Sequence, residues 1–313
     1  MHDEQIDSMI RRVSNWGRWG VDDEIGTVNL ITPDVRRRAA EAVRRGEVIS
    51  LAIPFDRHGP QPAGDRRPNA QHTMLVSGAD LKAGVHPFSI GGWGHADDVV
   101  TLATHGATHW DSLAHQFYDF RMYNDRDCAL VASDGAACCA VTAFASRVVT
   151  RGLLLDVPRT LGVEWLPIDH RITVSELERT LEIEHVEPRS GDVLLIRTGN
   201  MLRARRNGGW DEYTYTNEPG IALDVLPWLH EHEIAGVAAD TWAFEAIPSG
   251  ASIWLPVHAV GIVHMGLLIG EIFHLDELAA HCAADGVYEF LLSALPLPIS
   301  GAVGGPVHPV AVK

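Results

Sequence analysis

The segment His105-Gly106-Ala107-Thr108-His109-Trp110-Asp111-Ser112-Leu113-Ala114-His115 constrains this chain more than any other. It sets three imidazoles and one carboxylate in a single short stretch. Such nitrogen and oxygen ligands suit a divalent transition metal, Zn or Mn. His105 and His109 are spaced for one turn of helix, whereas His109 and Asp111 are spaced for one face of a strand. A regular helix cannot aim all three at one point. The spacing therefore predicts a bent or bulged segment, an irregularity frequent beside active sites. His105, His109 and Asp111 are the candidate ligands. His115 is left beside them as a proton carrier between a nucleophilic water and a leaving group. The alternative is a set of structural histidines bonded to backbone carbonyls, since the chain holds 17 histidines. The mixture of ligand types favours the metal.

Bulk composition narrows the classes further. The chain has 313 residues, 46% hydrophobic and 21% charged, which is ordinary globular composition with length for a large core. Its formal net charge is -16, from 41 acids against 25 bases, so nucleic-acid binding is not expected. Met1-His2-Asp3-Glu4 is acidic and polar, unlike a signal peptide. The longest apolar run, Ala259 to Gly270, is interrupted by His264 and too short to span a bilayer. Cys128, Cys138, Cys139 and Cys282 form no C-x-x-C pair and read as small apolar groups in a reducing cytoplasm.

No repeat or long linker divides the chain, which reads as one domain with an N-terminal extension. Gln5 to Arg12 predicts a short helix, and Thr32-Pro33-Asp34 opens another through about Arg45, stopped by Gly46. Glu47 to Ile53 reads as a strand. Asp98 to Thr104 reads as a β-branched strand leading into the histidine cluster and supporting it. Gly152 to Val157, Asp192 to Thr198 and Ile234 to Ala239 are apolar runs suited to buried strands. Thr173-Val174-Ser175-Glu176 is a capping box. Leu223 to His232 predicts a helix with Pro227 in its first turn, His258 to Met265 another, and Leu267 to Ile272 a strand. Leu275 to Cys282 then predicts a helix and Val287 to Leu295 a strand. Strands and helices alternate irregularly, so the class is α/β or mixed α+β.

Several polar residues interrupt apolar runs. His258 follows Trp254-Leu255-Pro256-Val257, and Glu271 ends Leu267-Leu268-Ile269-Gly270. A carboxylate at a buried strand end must be paired, hydrogen-bonded or metal-bound, and the residues alone leave these open. Asp240-Thr241 reads as a supporting or structural pair, and His230 and His232 as surface residues. Trp16, Trp19, Phe55, Trp93, Phe117 and Trp242 are candidates for a flat aromatic pocket wall, each with core packing as the alternative. The nucleophile elbow, the P-loop and the H-E-x-x-H motif are absent from the sequence.

The run from His105 to His115 resembles the H-x-G-T-H-x-D-x-P-x-H signature of the cyclase-like metal hydrolases, among them bacterial kynurenine formamidase, isatin hydrolase and a trans-dienelactone hydrolase. Asp192 to Gly199 resembles the family's strand ending in R-T-G, and Asn217 to Ile221 its P-G-I segment. Ala239-Asp240-Thr241 resembles its post-strand aspartate. Pro256-Val257-His258 and Gly270-Glu271 resemble its second metal-related pair, and Pro296 to Val307 its C-terminal strand. Trp19 to Leu30 is similar to the longer, mainly bacterial subgroup. The resemblance divides the chain into an extension, 1–46, and a cyclase-like domain, 47–313.

The resemblance implies a swivelling β/β/α fold and a homo-oligomer, a homodimer or homotetramer. It implies metal ligation by His105, His109 and Asp111. At a second metal, His258 and Glu271 join them with Asp111 bridging, so one or two ions of Zn or Mn are expected per subunit. His115 matches the catalytic histidine. Ala107 and Leu113 depart from the usual glycine and proline, which blurs the assignment to the formamidase branch. The expected activity is hydrolysis of an amide or lactam by metal-activated water, on a small aromatic or cyclic substrate. The alternatives are a lactone hydrolase, a cyclase or dehydratase, and a non-catalytic binding protein with a structural metal.

Overall fold

Four apolar runs form the centre of the molecule. The computed structural model describes residues 4–210, 212–214 and 217–313; the first three residues of the N-terminal reading lie outside them. Among the described residues one sheet has nine strands: β1 (Val48–Ser50), β2 (His109–Asp111), β3 (Val149–Asp156), β4 (Val193–Arg197), β5 (Gly236–Ala239), β6 (Leu268–Glu271), β7 (Glu289–Ser293), β8 (Gly304–Pro306) and β9 (Val310–Val312). Their spatial order is β1-β9-β7-β3-β4-β5-β6-β2-β8. Strands β3 to β6 are parallel neighbours, and the flanking pairs are antiparallel.

Period-two alternation divides the central side chains between two cores. Leu153, Leu155, Leu194, Ile196, Val237 and Ile269 face one, with Leu177, Leu226 and Val260 from helices. Leu154, Val193, Leu195, Ala238 and Leu268 face the other, with Phe144, Leu278 and Phe290. Both faces are covered, which is why these strands read as continuous apolar runs. At each fully buried aliphatic, burial is worth about 1.5–3 kcal/mol, so the central strands form a rigid platform.

Local signals set the helix starts. Thr173 caps Val174–Glu184 by the capping box, and Thr32 Oγ1 accepts from the Val35 amide. The second of these helices ends at Ala40 rather than Arg45. The amides of Arg45, Gly46 and Glu47 all converge on the Lys313 carbonyl, so a contact from the far end of the chain overrides the local pattern.

The strand expected at Asp98 to Thr104 also differs. Asp97–Thr101 pairs with Gln71–Val76 in a separate ribbon, with Val99 45% and Val100 49% exposed, and gives the His105–His115 segment no sheet support. β-branched residues mark a strand without marking its sheet. His230 and His232 are not simple surface groups. His230 hydrogen-bonds Asn15 at 3.1 Å, and the His232 ring lies 4.2 Å from that of Trp228.

Residues 4–46 pack directly on the domain. Ile6 and Val13 are fully buried, and Thr27 Oγ1 donates to the Ala235 carbonyl at 2.7 Å. No helix among the described residues is long and apolar enough to cross a membrane.

Candidate metal centre

The carboxyl ends of β5 and β6 deliver Asp240 and Glu271 to one edge of the sheet, where open α/β sheets commonly place ligands. β2 runs antiparallel to β6 there and sets His109 directly opposite Glu271. His109 and Asp111 project from one face of β2, while Trp110 turns into the core and donates to the Ala294 carbonyl at 2.9 Å. His105 precedes the strand on a turn closed by the Gly106 amide on the Ala103 carbonyl, and His115 follows on a turn closed on Ser112. The mixed spacing is thus a turn, a strand and a turn. The neighbouring strand makes room: a Cβ on Gly304 would lie 2.5 Å from the His105 ring.

These elements bring together two sets of three ligand atoms, His105–His109–Asp111 and Asp111–His258–Glu271, each within 4.8 Å. Asp111 belongs to both. Its Oδ1 lies 3.4 Å from His105 Nε2 and 3.3 Å from His109 Nε2, and its Oδ2 lies 3.5 Å from His258 Nε2. Glu271 reaches His258 at 3.0 Å and His109 at 3.3 Å.

The outer imidazole nitrogens are anchored. His109 Nδ1 donates to the Ala107 carbonyl at 2.8 Å, and His258 Nδ1 donates to Glu245 Oε1 at 2.7 Å. His105 Nδ1 lies 3.2 Å from Thr104 Oγ1. Each ring therefore turns Nε2 inward, the orientation seen in metal-ligating histidines. Asp111 is 1% exposed, and both its oxygens, with His105 Nε2 and His109 Nε2, lack a hydrogen-bond partner. Orphaned buried polar atoms are expensive, and a divalent cation satisfies all four at once. The residues fit the metal.

Electrostatics agree. Burial opposes charge on His109, but Asp111 and Glu271 outweigh it and lift its pKa to about 9. Burial also disfavours the Asp111 carboxylate, yet His115 and the other surrounding imidazoles hold its pKa well below the ordinary value. His115 Nε2 lies 3.9 Å from Asp111 Oδ1, outside hydrogen-bond range, and burial pushes its pKa down. Burial thus favours its neutral form, the one able to take a proton.

Several residues of this site carry little signal in the sequence. Glu245 accepts from the Val257 amide, the His258 amide and His258 Nδ1. Glu218 accepts from the Trp242 and Ala243 amides and so holds the loop that presents Glu245. Gly220 is required because a Cβ there would run into the Glu245 backbone. The only hint is a lone carboxylate in an apolar run, Trp242 to Ile247. Asp240 has a structural role: it accepts from Thr198 Oγ1 and from the Thr198 and Gly199 amides.

Of the six aromatics, Trp242 and Phe55 come to the His105–His115 segment. Trp242 Nε1 reaches Gln61, which binds the Gly106 carbonyl, and Phe55 packs in a cluster with Ala107. Trp16 instead stacks on His264, Trp19 lies under Arg18, Trp93 is 62% exposed on the ribbon, and Phe117 is half-exposed beyond His115.

The Cyclase family model matches residues 49–246. The crystal structure of a protein described as a novel cyclase superposes with a TM-score of 0.89 at 37% identity, covering 97% of this chain and 99% of that one. Isatin hydrolase A from Ralstonia solanacearum gives 0.61 at 18% identity, covering 90% and 97%. A predicted metal-dependent hydrolase from Bacillus stearothermophilus gives 0.51 at 17%, covering 85% and 97%. No curated protein sequence matches the chain. The last two structures share the fold alone. The match to the first spans nearly all of both chains at the level of sequence, and the family model covers most of this one, so the chain belongs to the cyclase family.

Proposed function

We propose that the protein is a metal-dependent hydrolase opening the C–N bond of a cyclic or aryl amide. One observation carries this reading. A buried, orphaned ligand set stands beside an imidazole, His115, that is not itself needed to complete it. His105, His109 and Asp111 would hold one Zn or Mn ion, and Asp111, His258 and Glu271 a second. Such an ion lowers the pKa of a coordinated water and polarises a carbonyl. His115 takes the proton of the attacking water as the C–O bond forms. It returns that proton to the amide nitrogen as the C–N bond breaks. Structural similarity to isatin hydrolase A supports a cyclic amide as substrate.

The test is a panel of N-formyl anilines, isatin-like lactams and lactones with added Mn or Zn. Hydrolysis of an amide member is expected, and chelation abolishes it. His115→Ala is expected to keep its metal by elemental analysis and lose about 10²–10⁴-fold in turnover. Because His115 must be neutral to accept a proton, kcat/KM in the wild type falls as acid protonates it, below its ordinary value of 6.5. Loss of metal from the variant makes His115 a ligand, and activity that survives chelation removes the mechanism. Ring closure rather than opening would assign a cyclase, and a metal-loaded protein inert on the whole panel a binding role.

We also propose a homodimer or homotetramer. Residues 71–101 expose Met74, Leu75, Phe88, Ile90, Trp93, Val99 and Val100 on the ribbon and its connecting loop, apolar surface on both faces that a monomer would leave in water. Light scattering after size exclusion is expected to give twice or four times the mass of one chain, 34.2 kDa. A monomer at micromolar concentration refutes this.

A further inference from the structure

The loop of residues 54–70 folds over the metal segment. Gln61 Nε2 donates to the Gly106 carbonyl at 3.1 Å, and its Oε1 lies 3.4 Å from Trp242 Nε1. The Pro68 carbonyl lies against Gly106. Arg66, Arg67, Trp242 and Trp254 then line an open cavity of about 480 Å³, within the usual range of small-molecule sites. The Arg67 guanidinium stands 5.6 Å from the centroid of the Trp242 ring.

Two features mark this cavity. First, among the described residues no ion pair joins a carboxylate to the Arg66 or Arg67 guanidinium, the neighbouring Asp65 accepting instead from the Arg66 amide, although the chain holds 41 acids against 25 bases. A stacked guanidinium without a carboxylate partner keeps its planar donor edge for a ligand. Secondly, the residues of the cavity wall are linked to the metal centre. Trp254 lies in the bend that leads into the 256–260 helix bearing His258, and Gln61 ties Trp242 to the His105–Gly106 turn.

We propose that this cavity selects a planar, anionic substrate or product, with Arg67 pairing its carboxylate and the Trp242 and Trp254 rings forming the walls for its flat body. The proposal rests on the hydrolase reading of the same site and names its substrate class. At long range a chain of net charge -16 repels anions, so the two arginines at the mouth supply the local attraction such a substrate needs.

The test is titration of the purified, metal-loaded protein with benzoate and with benzamide, followed by tryptophan fluorescence. Benzoate is expected to bind at least 10-fold more tightly than benzamide. Arg67→Gln removes that preference and Arg67→Lys keeps part of it, with metal content unchanged in both. Equal binding of the two probes overturns the proposal. So does a preference for benzoate that survives both substitutions, which would place the carboxylate on the metal instead. An active hydrolase without the preference refutes the anion site alone. A preference dependent on Arg67 in a protein inert on every carbonyl substrate refutes the hydrolase alone.

Discussion

Asp111→Asn is expected to lose divalent-metal binding by more than 100-fold and to reduce hydrolysis below detection. Its carboxylate is the single group shared by both ligand sets. An amide of the same shape keeps one acceptor and loses the charge, in a site where four imidazoles face it. The loss should exceed the 10–100-fold typical of outer-shell changes. Thermal unfolding gives an independent readout. A ligand at 100 times its Kd stabilises the native state by about 2.7 kcal/mol, so added Zn or Mn raises the wild-type Tm and leaves that of the variant unmoved. The effect has a pH sign. Without metal, His109 holds a proton below about pH 9, and binding must expel it. Wild-type affinity therefore rises with pH up to that value. Equal metal-induced Tm shifts in both proteins would exclude Asp111 as a ligand.

The half of this site that the sequence displays is the contiguous half. His105 to His115 is legible because a turn, a two-residue strand repeat and a second turn are all local. The Thr173 capping box is legible for the same reason. His258 and Glu271 are ambiguous as isolated residues, and only the family resemblance joins them to Asp111. Register explains why: Glu271 meets His109 by antiparallel pairing across a long separation in sequence, and no local pattern encodes the partner of a strand. The separate ribbon at Asp98 and the short helix after Thr32 have the same cause. Each has the right local propensity, and a distant partner, Gln71–Val76 or the Lys313 carbonyl, decides the outcome. Gln61, Glu218 and Glu245 are the extreme case, single polar residues whose importance lies wholly in what they touch.

Glu245 yields the second large effect, and it separates folding from metal binding. The residue is 1% exposed and its two oxygens serve three donors: the Val257 amide at 2.9 Å, the His258 amide at 2.9 Å and His258 Nδ1 at 2.7 Å. Glu245→Ala strands all three in a dry interior. At about 1–3 kcal/mol for each unsatisfied donor, the loss is a large part of a typical total stability of about 5–15 kcal/mol. The alanine variant should therefore be poorly soluble or melt far below the wild type. Glu245→Gln behaves differently. Its amide oxygen can still accept from the His258 amide and Nδ1, so the fold survives, but its NH₂ group now faces the Val257 amide, donor against donor. The same change removes the negative charge that orients His258 and raises its basicity. Metal affinity should then fall about 10–100-fold, with His105, His109 and Asp111 untouched. Isothermal titration with Zn or Mn measures this, and circular dichroism checks the fold. A glutamine variant that binds metal as tightly as the wild type would mean that Glu245 serves only the backbone of the 256–260 helix, and that His258 keeps its orientation without it.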